Sequence, residues 1–292
     1  MSSPKARGIR LHVHLTHGLG PKRYISTTSS ELTWISASTV WNGLHLLGCH
    51  ASDAEMLLSG LPRQDSLTSF RPDRLSRLRL LGLDPDLPFV VWVPTYRSTK
   101  GYGLGTQTVE EGTPFNATRL DNRPSPIDLL TQAKAANVQL VAKPHPIDAD
   151  RLEKLGIRSI TNSEIWSAGL SVYEFLGLST GMVSDYSSIW IDYLETGRSI
   201  GLFCPDYEAF ASSRGMLTPD LSEVAGRLFL DSHTTLSDFF REIANGGVFR
   251  QSDLRECRER IGFVERKSDR TRAQSLVDEL SHRYSRRIDM WN

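Results

Sequence analysis

Val183-Ser184-Asp185-Tyr186-Ser187-Ser188-Ile189-Trp190-Ile191-Asp192 holds the change of local structure on which the fold turns. The Gly-Met-Val run at 181–183 reads as the end of a buried strand, and the apolar segment from Ile189 to Leu194 reads as a helix. Between them lie an acid, Asp185, and two adjacent hydroxyls, with a second acid, Asp192, one turn into the helix. A strand-to-helix turn points backbone N–H groups and the positive end of the helix dipole outward, where an anion docks. Ser187 and Ser188 would add hydroxyl donors, and Asp192 would accept from a sugar or polyol. The plainer reading is a capped helix with Asp185 or Ser187 as N-cap. Taken alone, this stretch favours the capped helix, because serine caps are common and phosphate sites rare.

Composition narrows the field. The 34 basic and 34 acidic residues of the 292 cancel, so no global field argues for nucleic acid. Charged residues at 23% and hydrophobic ones at 39% give a soluble, globular balance, without an apolar run long enough to span a membrane. The N-terminus is basic but lacks the apolar core of a signal peptide. Cys49, Cys204 and Cys257 are far apart and odd in number, which fits a reducing cytoplasm rather than a disulfide framework. No metal motif stands out: His12, His14 and His17 have no Cys, Asp or Glu beside them.

From the amino end, Ile9 to Leu15 alternates as a short strand and runs into Thr16-His17-Gly18-Leu19-Gly20-Pro21-Lys22, a glycine-rich turn. A helix is expected within Ser36 to Leu47, a strand at Glu55 to Leu58 and a loop through Gly60-Leu-Pro-Arg63-Gln-Asp65, where Arg63 has a plain reading as a surface arginine paired with Asp65. Arg71 to Leu81 predicts a helix closed by Gly82, and the Asp84-Pro-Asp-Leu-Pro stretch reads as a linker. The division is therefore set there, with domains at 1–83 and 84–292.

Beyond the linker, strands and helices alternate. Phe89 to Val93 is wholly apolar, as when both sheet faces are covered, and it runs into Pro94-Thr95-Tyr96-Arg97. Ser98 to Arg123 reads as a long mobile loop, Ile127 to Ala136 as a helix and Val138 to Ala142 as a strand ending in Lys143-Pro144-His145-Pro146. Further strands are expected at Ile157 to Ile160 and Arg198 to Phe203, and helices at Glu164 to Leu176, Leu236 to Ala244 and about Ser268 to Tyr284. Repeated strand–helix units argue for an α/β, doubly wound parallel sheet, whose strand carboxyl ends share one edge. Arg97, Lys143, His145, Ser187 and Ser188 fall on that edge, with Asp192 beside them. Charge-assisted donors of this kind suit phosphate oxygens, which turns the reading toward a phosphate or pyrophosphate site.

The ordered motifs are His17-Gly18 with Lys22, then Gly60-Leu-Pro-Arg63-Gln-Asp65, Pro94-Thr95-Tyr96-Arg97 and Lys143-Pro144-His145-Pro146. They continue with Ser184-Asp185-Tyr186-Ser187-Ser188 plus Asp192, and Asp206-Tyr207 plus Arg214-Gly215. This order resembles the CDP-glycerol glycerophosphotransferase family, the teichoic acid primases and polymerases. The resemblance covers roughly residues 11 to 216. It implies a GT-B-like fold of two Rossmann-like domains and transfer of glycerol phosphate, or a related polyol phosphate, from CDP-glycerol to a polyol phosphate or lipid-linked acceptor. It implies no cofactor, and a required Mg²⁺ is not expected.

By the same resemblance, Thr95, Arg97, Lys143, His145, Ser187, Ser188 and Asp192 form the donor site, with Gly18 and, from the first domain, Arg63. His17 is implied as the general base and His145 as the group that stabilises charge as CMP leaves. Lys22, Asp185, Asp206 and Arg214 are further candidates. The sequence departs from the family at Leu19-Gly20-Pro21, where Thr-Pro-Leu is usual. Only sixteen residues precede His17, so about 100 residues of the first domain are expected from upstream sequence or from another subunit. Two other readings stay open: a GT-B glycosyltransferase using a nucleotide sugar, and a non-catalytic nucleotide-binding fragment or partner subunit. Family members work at the inner face of the cell membrane. A cytoplasmic protein with peripheral membrane contact is therefore implied, and Arg283, Arg286 and Arg287 form a small basic cluster that also reads as a solvated helix face.

Overall fold

The computed structural model describes residues 13–15, 20–22, 34–50, 54–69, 71–96, 98–100, 108–110, 123–145 and 152–289. The chain divides into two compact units. One contains Met1–Leu19, Tyr24–Asp65 and Arg258–Asn292, and the other Gly20–Arg23 and Ser66–Cys257.

The first unit holds a parallel sheet in the order β1 (Val13–Leu15), β2 (Trp34–Ser36), β3 (Glu55–Leu57). The register sets Val13 beside Trp34 and Trp34 beside Glu55. Helix Val40–His50 links β2 to β3. A small core of Trp34, Leu57 and Leu276 is completed by Val13 and Leu280, so the C-terminal helix Arg272–Asp289 packs on this sheet. Asp65 fixes that helix, its carboxylate accepting from the backbone N–H of Arg272 at 2.7 Å and of Ala273 at 3.0 Å. Those amides begin the helix and have no partner within it, which is why an acid fits there. Arg283, one of the basic cluster, pairs with Glu55 at 2.6 Å and Glu279 at 2.7 Å.

The second unit is built on a four-stranded parallel sheet in the order β7 (Gln139–Ala142), β4 (Phe89–Val93), β8 (Gly181–Ser184), β9 (Ser199–Leu202). Phe89 to Trp92 are all buried, as their unbroken apolar run requires in a central strand covered on both faces. Val90 and Trp92 face a cluster with Leu129 and Ala133 of helix Pro126–Ala135 and Phe239, Phe240 and Ile243 of helix His233–Ala244. On the other side Phe89 meets Phe175 of helix Val172–Leu178 at a ring distance of 5.8 Å. Each large apolar side chain buried this way contributes about 1.5–3 kcal/mol. Reciprocal capping boxes start several of these helices, Ser125 with Asp128 and Ser171 with Glu174 among them.

The structure divides the chain differently from a cut at 83/84. Residues 66–83 join the second unit because Arg74 pairs with Glu174 at 2.5 Å, Arg77 donates to the carbonyls of Ala168 and Gly169, and Arg158 donates to Gly82. Residues 258–292 return to the first unit through Leu276 and the Asp65 cap. Smaller differences have local causes. The expected helix Glu164 to Leu176 is two helices, Asn162–Ser167 and Val172–Leu178, broken where Gly169 takes φ 73°. The strand expected at Ile157 to Ile160 is reduced to one bridge, Ser159 to Ala142. The stretch read as a loop from Ser98 contains an antiparallel pair, β5 (Ser98–Lys100) with β6 (Thr108–Glu110). Arg71 to Leu81 begins as an α-helix, tightens into a 3₁₀ turn and closes on Gly82 at φ 61°, as expected.

Candidate functional site

Four parallel strands put four loops on one edge of the second unit. The register pairs Trp92 with Ala142, Val93 with Ser184 and Ser184 with Leu202. The loops that follow β7, β4, β8 and β9 are therefore neighbours in that order. They carry Lys143-Pro144-His145, Pro94-Thr95-Tyr96, Asp185-Tyr186-Ser187-Ser188 and Phe203 to Tyr207 respectively.

Acids tie these loops together. Asp185 is 1% exposed and takes the N–H of Thr95 at 2.9 and 3.0 Å, its hydroxyl at 2.7 Å and the N–H of Ser187 at 3.3 Å. An ionised carboxylate survives burial when donors surround it in this way. Ser184 adds a hydroxyl bond to the carbonyl of Val93 at 3.0 Å. The N-cap is neither Asp185 nor Ser187, although the Ser187 hydroxyl accepts from the Ile189 N–H at 3.4 Å. That position is Ser188, whose side chain makes no capping bond, and helix Ile189–Tyr193 is only five residues long. Its dipole is correspondingly short, so hydroxyls and cations matter more here than the helix end.

Asp206 accepts from the Tyr186 hydroxyl at 3.0 Å, and the Tyr186 ring stacks on Phe210 at 3.7 Å. Asp192, 3% exposed, accepts from the Tyr173 hydroxyl at 2.6 Å. Tyr173 and Tyr186 are site-forming residues that the sequence reading did not single out as candidates. Tyr173 had no signal of its own, whereas Tyr186 sits inside the motif.

The cations and hydroxyls complete the edge. Lys143 is half-buried, with its backbone N–H bonded to the Trp92 carbonyl at 2.7 Å, and burial pushes its ammonium pKa below the usual lysine value. His145 is exposed, and its ring meets Tyr96 at 5.1 Å, edge to face. Ser187 and Ser188 are half-buried.

Residues 20–22 are strapped onto the same unit. Pro21 accepts from Leu217 N at 2.8 Å, Lys22 bridges Met216, and the Lys22 Nζ lies 5.3 Å from the centre of the Tyr96 ring. Gly20 is required there, since a Cβ on it would fall 2.3 Å from the Tyr186 carbonyl oxygen.

Of the other candidates, Arg214 is half-buried at the end of helix Tyr207–Arg214, before Gly215 at φ 80°. Arg63 lies in the first unit, in the 3₁₀ turn Pro62–Gln64 that Gln64 braces by accepting from Leu61 N at 2.7 Å. The carboxylate of Asp65 is directed at the C-terminal helix. His17, Gly18 and Arg97 lie outside the described residues. A cavity of about 380 Å³ sits at the β9 edge, lined by Arg123, Cys204, Tyr207, Phe229 and Leu230, and contains none of the candidate residues. Among the described residues no cluster of three His, Cys, Asp or Glu side chains could hold a metal ion, and no helix is long and apolar enough to cross a membrane.

An edge of cations and hydroxyls stiffened by buried acids is suited to a phosphorylated ligand. The sequence profile described as CDP-glycerol:poly(glycerophosphate) glycerophosphotransferase matches residues 23–278. The chain belongs to that family. The teichoic acid ribitol-phosphate primase of Bacillus spizizenii is 31% identical over 68 residues, 23% of this chain and 18% of the primase. The wall teichoic acid polymerase TagF aligns over 97% of this chain and 71% of its own, with a TM-score of 0.63 at 16% identity. A TagF variant soaked with CDPG for 30 minutes aligns over 97% of this chain and 69% of its own, with a TM-score of 0.59 at 15% identity. These structural likenesses speak to the fold. They agree with the α/β, doubly wound parallel class expected from the strand–helix alternation and with the GT-B-like fold that the resemblance implied.

Proposed function

We propose that this family member transfers glycerol phosphate, or a related polyol phosphate, from a CDP-activated donor to a polyol phosphate or lipid-linked acceptor, releasing CMP. Family membership over residues 23–278 carries the reading. The chemistry of the second unit's edge supports it. In this reading Lys143, His145, Ser187 and Ser188 hold the pyrophosphate, and Asp192, braced by Tyr173, accepts from donor hydroxyls.

The acceptor oxygen forms its bond to the phosphorus that carries glycerol, and the bond from that phosphorus to the bridging oxygen of CMP breaks. The acceptor proton passes to His17, in keeping with an imidazole that titrates near neutrality. Charge building on the departing CMP falls to Lys143 and His145. Positioning and electrostatic stabilisation supply most of the barrier lowering in phosphoryl transfer. The reading asks nothing of a bound metal, and turnover is expected to persist in EDTA. It places the protein in the cytoplasm with its acceptor at the membrane surface, which sedimentation with anionic vesicles would test.

The deciding assay mixes the protein with CDP-glycerol and a polyol phosphate acceptor while CMP is followed. CMP release that depends on acceptor is the expected result. Binding of a UDP-sugar in preference to CDP-glycerol, measured by calorimetry, would overturn the choice of donor. Equal rates for the wild type and His17→Ala would remove His17 as the base.

A further inference from the structure

Three separate backbones converge on the ring of Tyr96. Its own chain is fixed one residue earlier, where both the N–H and the hydroxyl of Thr95 bind the buried Asp185. The β7 loop brings the His145 ring to 5.1 Å from it. The strap at residues 20–22 brings the Lys22 Nζ to 5.3 Å from its centre. That strap is itself held by the Pro21–Leu217 bond, the Lys22–Met216 bridge and the close approach of Gly20 to Tyr186 and Ser188. The flexible Lys22 side chain is thus brought to the strand-end edge that also carries Lys143, Ser187 and Ser188. A cation over an aromatic face is attracted by the ring quadrupole, which draws a four-carbon stem toward one direction. Two groups able to bear positive charge, Lys22 and His145, meet one ring. Both can donate hydrogen bonds to phosphate oxygens, so a ligand with two phosphate groups can be met from two loops at once.

We propose that Tyr96 is a positioning residue that holds the Lys22 ammonium on the strand-end edge as an arm of a phosphate site, and that the ligand class is a pyrophosphate-bearing molecule. The placing of this array in a transfer reaction rests on the function proposed above, whereas its binding of pyrophosphate does not. The motif reading gave Lys22 as a further candidate and gave Tyr96 no role.

Calorimetric titration with inorganic pyrophosphate tests the array on the wild type, Lys22→Met, Tyr96→Leu, Tyr96→Phe and the Lys22→Met/Tyr96→Leu double variant. Loss of one charge-assisted phosphate contact is expected to weaken binding about tenfold in Lys22→Met. Tyr96→Leu should lose a similar factor, while Tyr96→Phe, which keeps the ring, should stay within about twofold of wild type. The double variant should be no weaker than Lys22→Met, because the two residues act as one unit.

The proposal is overturned if wild type binds no pyrophosphate or if Lys22→Met is within about twofold of it. It is equally overturned if Tyr96→Phe is as weak as Tyr96→Leu, or if the two losses multiply to about a hundredfold. Thermal unfolding of each variant checks folding, and should Tyr96→Leu not fold, Lys22→Met and Tyr96→Phe decide the case. Pyrophosphate binding in the expected pattern without CMP release from CDP-glycerol would leave the array standing and remove the transfer reading.

Discussion

The two units use their motif acids on different partners. In the second unit, Asp185, Asp206 and Asp192 each take a proton donor from another loop or helix of the same unit: Thr95, Tyr186 and Tyr173. In the first unit, Asp65 takes its donors from the start of a helix 207 residues away. Asp185 and Asp65 spend carboxylate lone pairs on backbone N–H groups, whereas Asp206 and Asp192 spend theirs on tyrosine hydroxyls. The residues left facing the strand-end edge of the second unit are mainly cations and hydroxyls. In this chain Asp65, Asp185 and Asp206 therefore stiffen the frame, Asp192 is the acid assigned to donor hydroxyls, and the groups with chemistry to offer an anion are Lys22, Lys143, His145, Ser187 and Ser188.

The largest test of that division is Asp185→Ala. It leaves the buried Thr95 N–H without its carboxylate, and urea denaturation should show a loss of about 2–4 kcal/mol, accompanied by loss of donor binding. A stability change under about 0.5 kcal/mol would mean that Asp185 is a ligand group and not a tie. Next comes Asp65→Ala in the first unit, which removes an anionic cap and should cost about 1 kcal/mol. Faster hydrogen exchange confined to the first turn of helix Arg272–Asp289 would localise the effect, and unchanged exchange there would break the comparison.

Tyr173→Phe should act on the ligand more than on the fold. Loss of one hydrogen bond to Asp192 is expected to raise the KM for CDP-glycerol by about threefold to tenfold with little change in kcat. A fall in kcat alone would speak against Asp192 as a donor contact.

The smallest effect is a pH dependence from Lys143. Burial lowers its pKa from the usual 10.5, so the free protein loses this proton at lower pH than an exposed lysine would. A bound anion favours the ammonium and draws the proton back. Pyrophosphate affinity should therefore hold below the lowered value and decline as pH rises through it, with proton uptake on binding. Lys143→Met should flatten that slope.

Much of the second unit was legible because its signals are local. The apolar run Phe89 to Val93 and the glycine stop at Gly82 each identify an element within a few residues. The shared edge followed from topology, since parallel strands joined by helices end on one side. What escaped notice depends on distant pairs. Thr95 and Asp185 lie 90 residues apart, and nothing near either one announces the other. The return of the C-terminal helix to the first unit rests on Leu276 meeting Trp34 and on the Asp65 cap, and amphipathic spacing alone does not say which sheet a helix will cover. Strand β2 was missed because three residues, Trp34 to Ser36, are too few to display a period. The break at Gly169 could have been seen, since Ser171-x-x-Glu174 is a capping-box signature inside the expected helix.

The Asp65–Arg272 cap has a consequence for synthesis. The sheet of the first unit emerges from the ribosome early, but the helix that completes its core follows 207 residues later. At about 5–20 residues per second that is a wait of about 10–40 s, during which the second unit can form and the nascent first sheet lacks its cover. Trp34 and Leu57 are the side chains left exposed over that interval. The segment that carries these two side chains is where chaperone dependence is expected to be felt.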